Sequence, residues 1–301
     1  MAFNISAINY AWVNENNQNL LSEAILGAQT AQLITVYPGV KYKENLKYLD
    51  TDAKTQAGGC GWTASGTTQL TDKDLLVTSL KWTEALCPDT LETTALQLSM
   101  KAGKNETIPF EQAYIALKSK QIQTALETMY WSATASSSVK CEGLIYTLNN
   151  DSDVHDYTFN PCATGLTFSD WANAVYGMYN HLSPEAKNMN DLTLFVSYGA
   201  FSLMQQAMVI AGNYHINQTG ENVLAFRFPG TNIMVQPIKA LDTQCVMVLS
   251  PASNLIWVTD LVSEEDKIQM WFSQDNQEVR YVANGKIGTS YYWGTYIVLA
   301  Q

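Results

Sequence analysis

The sequence predicts an α+β fold in which one long helix covers a sheet built largely by the end of the chain, with a second α+β unit inserted between them. Three observations carry this expectation. Residues 109–131 read as one uninterrupted helix, residues 254–299 alternate in the manner of strands, and residues 165–250 switch repeatedly between helical and extended patterning.

The helix is the best-marked element. Pro109 suits a first helical position, Glu111 lies in the positively polarised first turn, and no Gly or Pro follows before Trp131. Ile108, Ile115, Ile122, Leu126 and Met129 form one apolar stripe flanked by Tyr114, Leu117 and Ala125, with Gln112, Lys118, Ser119 and Gln123 polar between them. At about 1.5 Å per residue such a helix spans roughly 35 Å, the width of a small domain.

Upstream, residues 1–16 are polar and unpatterned, and Leu21, Ala24, Ile25, Ala28 and Gln32 then suggest a short amphipathic helix before the Tyr37-Pro38-Gly39 break. From Lys41 to Trp82 the pattern is extended, with Leu46 and Tyr48 on one limb and Leu76, Thr78, Leu80 and Trp82 alternating on the other. Between the limbs lies GGCGWTASG, Gly58 to Gly66, a sharply turned tip without the GK[ST] ending of a phosphate loop. The limbs are rich in charge and poor in core residues, and an isolated hairpin is marginal in water, so a long one is expected to lie against something else. Pro88 to Leu98 reads as a short helix leading into the long one.

Beyond Trp131, Cys141 to Leu148 is a short apolar element and Asn149 to Pro161 an acidic surface loop. Thr167 or Ser169 can cap a helix whose inward side is Trp171, Val175, Met178, Tyr179 and Leu182. Leu192 to Val196 (LTLFV) is a continuous apolar strand, followed by a helix over Ala200–Ile210 and strands over Asn232–Ile238 and Cys245–Leu249. Strands are expected at Asn254–Thr259, Lys267–Gln274 and Glu278–Lys286, the last two joined by an Asp275-Asn276 turn, and the aromatic tract Tyr291–Leu299 closes the chain. A sheet this strongly marked needs a helix to cover it, and the long helix is the expected partner.

Composition narrows the function classes. The 301 residues are 47% hydrophobic and 15% charged, with a net charge of -11 and no dense Lys/Arg cluster, which argues against tight, direct nucleic-acid binding. The five cysteines, Cys60, Cys87, Cys141, Cys162 and Cys245, are odd in number and contain no CxxC pair, so neither a disulfide framework nor a zinc site is expected and a reducing compartment is the simpler inference. There is no signal-peptide pattern at the amino terminus and no 18-residue apolar run, so a cytosolic chain without membrane contact is expected. No GxSxG, HExxH, dinucleotide or EF-hand motif occurs, His155, His181 and His215 are scattered among polar neighbours, and Glu264-Glu265-Asp266 reads as a solvated helix start. Catalytic, cofactor and metal sites are therefore expected to be none. The aromatic cluster Tyr291, Tyr292, Trp293 and Tyr296 could stack on a sugar, but its strand context favours packing.

The strings FPGTNIMVQPIKAL, LSPASNLIWVTDL and FSQDNQEVRYVANGKIG resemble stretches of major capsid proteins from tailed double-stranded DNA bacteriophages with the Hong Kong 97-like fold. KYLDTDAKTQAGGCGWTASGTTQLTDKDLLV, KWTEALCPDTLE and IPFEQAYIALKSKQIQ extend the likeness, which runs in order over roughly residues 36–301. The resemblance implies an N-terminal arm (1–40), an extended β-hairpin or E-loop (41–87), a peripheral domain (88–164 and 251–301) holding the spine helix, and an inserted axial domain (165–250). It further implies self-assembly as hexamers and pentamers into an icosahedral phage head, built in the host bacterial cytoplasm and enclosing DNA without sequence-specific binding. Portal, scaffolding and decoration proteins would be the other partners.

Some members of that family cross-link a hairpin lysine to a peripheral-domain asparagine. Lys54 and Asn284 are the residue types required, but nothing local pairs them, and an uncross-linked shell is expected. The candidate intersubunit contacts are Cys60, Trp62, Leu76 and Trp82 on the hairpin side and Leu21 and Ile25 on the N-terminal helix. An encapsulin-type compartment shell is the alternative within the same fold, and a carbohydrate-binding surface protein the alternative outside it.

Overall fold

The computed structural model describes residues 28–51, 54–60, 64–87, 110–132, 141–212, 225–260 and 268–301. Its first sheet is organised on β12 (Glu278–Tyr291), where Val279, Tyr281, Ala283 and Ile287 are buried on alternate positions. One edge of β12 pairs antiparallel with β4 (Thr78–Leu86). The other edge pairs with β11 (Ile268–Ser273) over its first half and β10 (Leu255–Thr259) over its last five residues. β1 (Thr35–Pro38) adds to β10 in parallel.

The long helix, α2 (Phe110–Trp131), lies on this sheet. Ile122, Leu126, Tyr130 and Trp131 are buried in one cluster with Trp257, Tyr281 and Ile287. Tyr130 stacks on Trp257 at 4.8 Å between centroids and Tyr114 meets Tyr281 edge-on at 5.8 Å, arrangements that add to the area these rings bury. Leu117, expected at the edge of the stripe, is 65% exposed on the opposite side.

A short helix, α1 (Gln29–Leu33), docks against the end of α2. Glu127 Oε1 accepts from the Thr30 amide (3.2 Å) and hydroxyl (2.8 Å), while the Trp131 indole N–H donates to Thr30 Oγ1 (2.8 Å). The rest of the N-terminal helix expected from the sequence, with Leu21 and Ile25, lies outside the described residues, as do Trp62, the Pro88–Leu98 helix, His215 and the Glu264-Glu265-Asp266 triplet.

The second sheet has six strands among the described residues. β6 (Leu192–Val196) and β9 (Met247–Pro251) are buried at every position, as a continuous apolar run requires. β8 (Met234–Pro237) and β7 (Phe226–Arg227) extend one side; β13 (Val298–Ala300) and β5 (His155–Tyr157) extend the other. Three helices accompany it: α4 (Phe168–His181), α5 (Pro184–Lys187) and α6 (Tyr198–Ile210), with α3 (Leu144–Asn149) standing by the first sheet. Thr167 caps α4 in a reciprocal box with Asp170. Trp171, Val175, Met178 and Leu182 are buried with Leu194, Val235 and Leu249. Gly177 lets α4 approach β5, because a Cβ there would lie 2.4 Å from the Tyr157 hydroxyl.

Three sequence expectations need correction. Cys162 and Cys245 form a disulfide, with Cα atoms 5.5 Å apart across a separation of 83 residues. Local spacing detects only neighbours, and this pair is assembled by the tertiary fold. Residues 149–161 are not all loop, since β5 joins the second sheet beside β13. The second hairpin limb ends at Leu76; a single buried residue, Val77, separates it from β4, which turns into the first sheet.

Candidate functional site

The hairpin is formed by β2 (Lys43–Thr51) and β3 (Thr68–Leu76), paired in register from Lys43 opposite Leu76 to Thr51 opposite Thr68. Residues opposite one another share a face, so Leu46 with Lys73 and Glu44 with Leu75 lie on one side. Leu49 with Leu70, Lys47 with Asp72 and Lys43 with Leu76 lie on the other.

The first side is anchored to the subunit. Leu75, Val77 and Val40 are buried with Ile256 and Val258 of β10, and Tyr37, Leu46 and Tyr292 pack around them. Gly288 makes this approach possible, since a Cβ there would stand 2.0 Å from the Leu76 carbonyl oxygen. Lys73 Nζ lies 3.2 Å over the Tyr291 ring, a cation–π contact, and the Tyr291 hydroxyl donates to the Asp151 carboxylate. Burial pushes the Lys73 ammonium down to about 8, opposed by the nearby Asp151 and Asp153 carboxylates. Burial alone would raise Asp151, but the Tyr291 hydroxyl, the Asp153 amide and Lys73 together hold it below the usual carboxylate range. Tyr291 is raised by burial and by that same carboxylate.

The second side is open. Leu49 is 66% exposed, Leu70 directly opposite is 63% exposed, and Leu76 is 54% exposed. Polar contacts cross the strands between them: Lys43 Nζ to Asp74 Oδ2 at 2.6 Å and Asn45 Nδ2 to Asp72 Oδ2 at 2.8 Å. An apolar cross-strand pair in a charged surround, on the face turned away from its own subunit, is suited to a partner's surface.

Of the residues singled out by sequence, Leu76 is on this open face and Cys60 is an exposed free thiol near the tip. Trp82 is on β4, half-buried against its own subunit's first core and over Gly285. The Leu49–Leu70 pair was missed; its signal, two leucines at unequal distances from the glycine-rich tip, becomes readable only once the register is fixed.

Elsewhere, Val209 and Ile210 end α6 59% and 87% exposed, and Tyr291 of the aromatic cluster is buried instead of presented as a stacking platform. His155 and His181 are exposed, with ring centroids 6.2 Å apart. Among the described residues no group of three His, Cys, Asp or Glu side chains is arranged to hold a metal ion, and no helix is long and apolar enough to cross a membrane.

No family model and no curated protein sequence matches the chain. Solved structures do. A chain of the satellite phage P4 procapsid superposes with a TM-score of 0.62 at 12% identity, covering 94% of this chain and 90% of that one. The capsid of an empty GTA particle gives 0.60 at 10% identity, covering 91% and 89%. A virus-like particle from Pyrococcus furiosus gives 0.55 at 9% identity, covering 96% and 99%. Likeness over nearly the whole of both chains at such low identity is likeness of fold: this chain has the mixed α/β fold of capsid proteins.

Proposed function

We propose that this protein is the major capsid protein of a tailed double-stranded DNA phage, a structural subunit that assembles as hexamers and pentamers into an icosahedral head around the genome. The observation that carries the reading is the two-sided hairpin: one side anchored in the subunit's own core, the other presenting Leu49, Leu70 and Leu76 to a neighbour. Full-length likeness to chains from several shells supports it. In this reading residues 41–76 are the E-loop, β12 and α2 belong to the peripheral domain, and the unit built on β6 and α4 surrounds the capsomer axis. The acidic chain contains DNA without a basic groove, so the genome is enclosed and not bound base by base. Portal, scaffolding and decoration proteins complete the particle.

The likeness to a virus-like particle over 96% of this chain favours a second reading, an encapsulin-type compartment shell. Electron microscopy of the purified protein separates these from any monomeric role. Closed shells or capsomer rings are expected without added DNA, and a monodisperse monomer at high concentration would refute both readings. Recovery of particles from infected or expressing cells then divides them, since a phage head carries nuclease-protected double-stranded DNA and a compartment carries protein cargo.

A further inference from the structure

The disulfide closes a loop of chain that contains α4, α5, β6, α6, β7, β8 and the 3-10 turn Lys239–Thr243, most of the second α+β unit. Its two halves belong to different cores. On the Cys162 side, Phe159 and Leu166 pack on the cluster of Trp171 and Val175, and the Phe159 ring meets Trp171 at 5.3 Å. On the Cys245 side, Ile238, Leu241 and Val246 are buried in the cluster of α2 and β12. The bond therefore joins 158–166, packed on one face of the second sheet, to the 239–246 turn, packed on its other face, across a seam just before the chain enters β9.

The turn is tied to α6 by the Tyr198 amide, which donates to Asp242 Oδ1 at 2.7 Å, but not to 158–166. Among the described residues no hydrogen bond joins 158–166 to 239–246; the Cys162 amide donates to Asn160 Oδ1 and the Gln244 amide to the Leu241 carbonyl, each within its own segment. Cys245 sits at φ 49, a left-handed conformation that a non-glycine residue holds only when its surroundings impose it. Cys162 is exposed and lines a shallow cleft with Ser197, Ala200, Leu203 and Asp242, the side from which a small thiol would approach the bond. The remaining cysteines lie outside this bond: Cys60 and Cys87 are exposed, and Cys141 is buried with its thiol pushed up to about 11 by burial.

We propose that Cys162 and Cys245 form a reversible redox clasp on this seam, open where low-molecular-weight thiols prevail and closed where their disulfides do. Closing is thiol–disulfide exchange with an oxidised small disulfide, RSSR. The Cys162 thiolate attacks one sulfur and expels RS⁻, and the Cys245 thiolate then displaces the second RS⁻ from the mixed disulfide. Two electrons pass from the cysteine pair to RSSR, which leaves as two RSH carrying the cysteines' protons. Opening is the reverse. When open, the 239–246 turn loses its covalent tie to 158–166 and Cys245 is free to leave its left-handed conformation, while β6 stays paired with β9; when closed, the turn is locked in place. The inference concerns the subunit and stands apart from the shell reading.

The test uses the full chain equilibrated in glutathione buffers from reducing to oxidising, with thiols trapped by alkylation and counted by mass spectrometry. Each sample is then given a brief tryptic pulse at Lys239, which is exposed in the 3-10 turn beside Cys245. The reduced chain is expected to be cut there about tenfold faster than the oxidised one, with full recovery on reoxidation. C162S is expected to be cut at the reduced rate in every buffer, its folding verified by circular dichroism. Equal cutting rates for oxidised and reduced wild type would overturn the proposal. So would a pair that resists excess dithiothreitol in the folded chain or never oxidises, and the wild-type comparison decides even if C162S fails to fold.

Discussion

If the open hairpin face is an assembly surface, removing its apolar pair should spare the subunit and disable the shell. The perturbation is the double substitution L49S/L70S. Fully burying a leucine side chain is worth about 1.5–3 kcal/mol, and roughly two thirds of each residue is still exposed in the free subunit. Covering the remainder in an interface is thus worth about 1–2 kcal/mol per leucine, or about 2–4 kcal/mol for the pair, a factor of ~30 to ~1000 in the affinity of each intersubunit contact. The cost to folding is small, because exposed substitutions away from special features stay within about 0.5 kcal/mol. The assay pairs thermal melting of the unassembled subunit with sedimentation across a concentration series. L49S/L70S should melt with the parent yet need at least about tenfold more protein to form closed particles, whereas L75A, at a fully buried position, should lower the melting temperature itself. Closed particles of L49S/L70S at the parent's threshold concentration would refute the reasoning, and so would a large loss of subunit stability.

Two further outcomes follow from buried polar groups. Replacing Thr30 with Val leaves the Trp131 indole N–H without its acceptor and Glu127 with only the residue-30 amide as donor, a cost of about 1–3 kcal/mol, so T30V should melt several degrees below the parent while T30S melts near it; equal melting of T30V and the parent would contradict this. Lys73 titrates at about 8 when folded and near 10.5 when unfolded, so between those values the unfolded chain binds more protons and stability rises with pH. Asp151 and Asp153 face it and oppose the shift, and above about pH 10 the raised Tyr291 pulls the other way. Melting between pH 7.5 and 9.5 should show the rise in the parent and a flatter profile in K73M; parallel profiles would remove Lys73 as the cause.

Local chemistry was legible where it was self-contained. LTLFV could only be a strand buried on both faces, and the choice between Thr167 and Ser169 as a cap is settled by Asp170, which stands three residues after Thr167 and returns the hydrogen bond. Likeness of strings along the chain anticipated the capsid-protein fold that the solved structures display. Illegible were features made by distant partners. Thr78 to Leu86 alternate as any hairpin limb would, and only pairing with β12 shows that they belong to a different sheet from Thr68 to Leu76. The Cys162–Cys245 bond spans too much chain for spacing to betray it, and the odd cysteine count pointed away from it. Leu49 and Leu70 look like ordinary strand leucines until the register shows them sharing the face opposite Leu46 and Leu75.

That placement explains how a marginal element can serve as a connector. Leu75 is fully buried and Leu76, the next residue, is 54% exposed, because consecutive strand residues point to opposite faces. The switch from inward to outward anchoring therefore takes no turn, only the strand's own period. Leu75, Val77, Val40, Ile256 and Val258 together bury enough apolar surface, at about 1.5–3 kcal/mol each, to hold the hairpin base where an isolated two-stranded ribbon would fray. The direction of the hairpin is thus set within its own subunit, which under the proposed assembly would lower the ordering cost of a contact. At the other end, Gly58 and Gly59 have open space where a Cβ would stand, in contrast to Gly288, which is glycine because the Leu76 carbonyl leaves no room for anything larger. Crowding at the base fixes the angle of the arm, and under the proposed assembly that angle decides which surface the open face would meet.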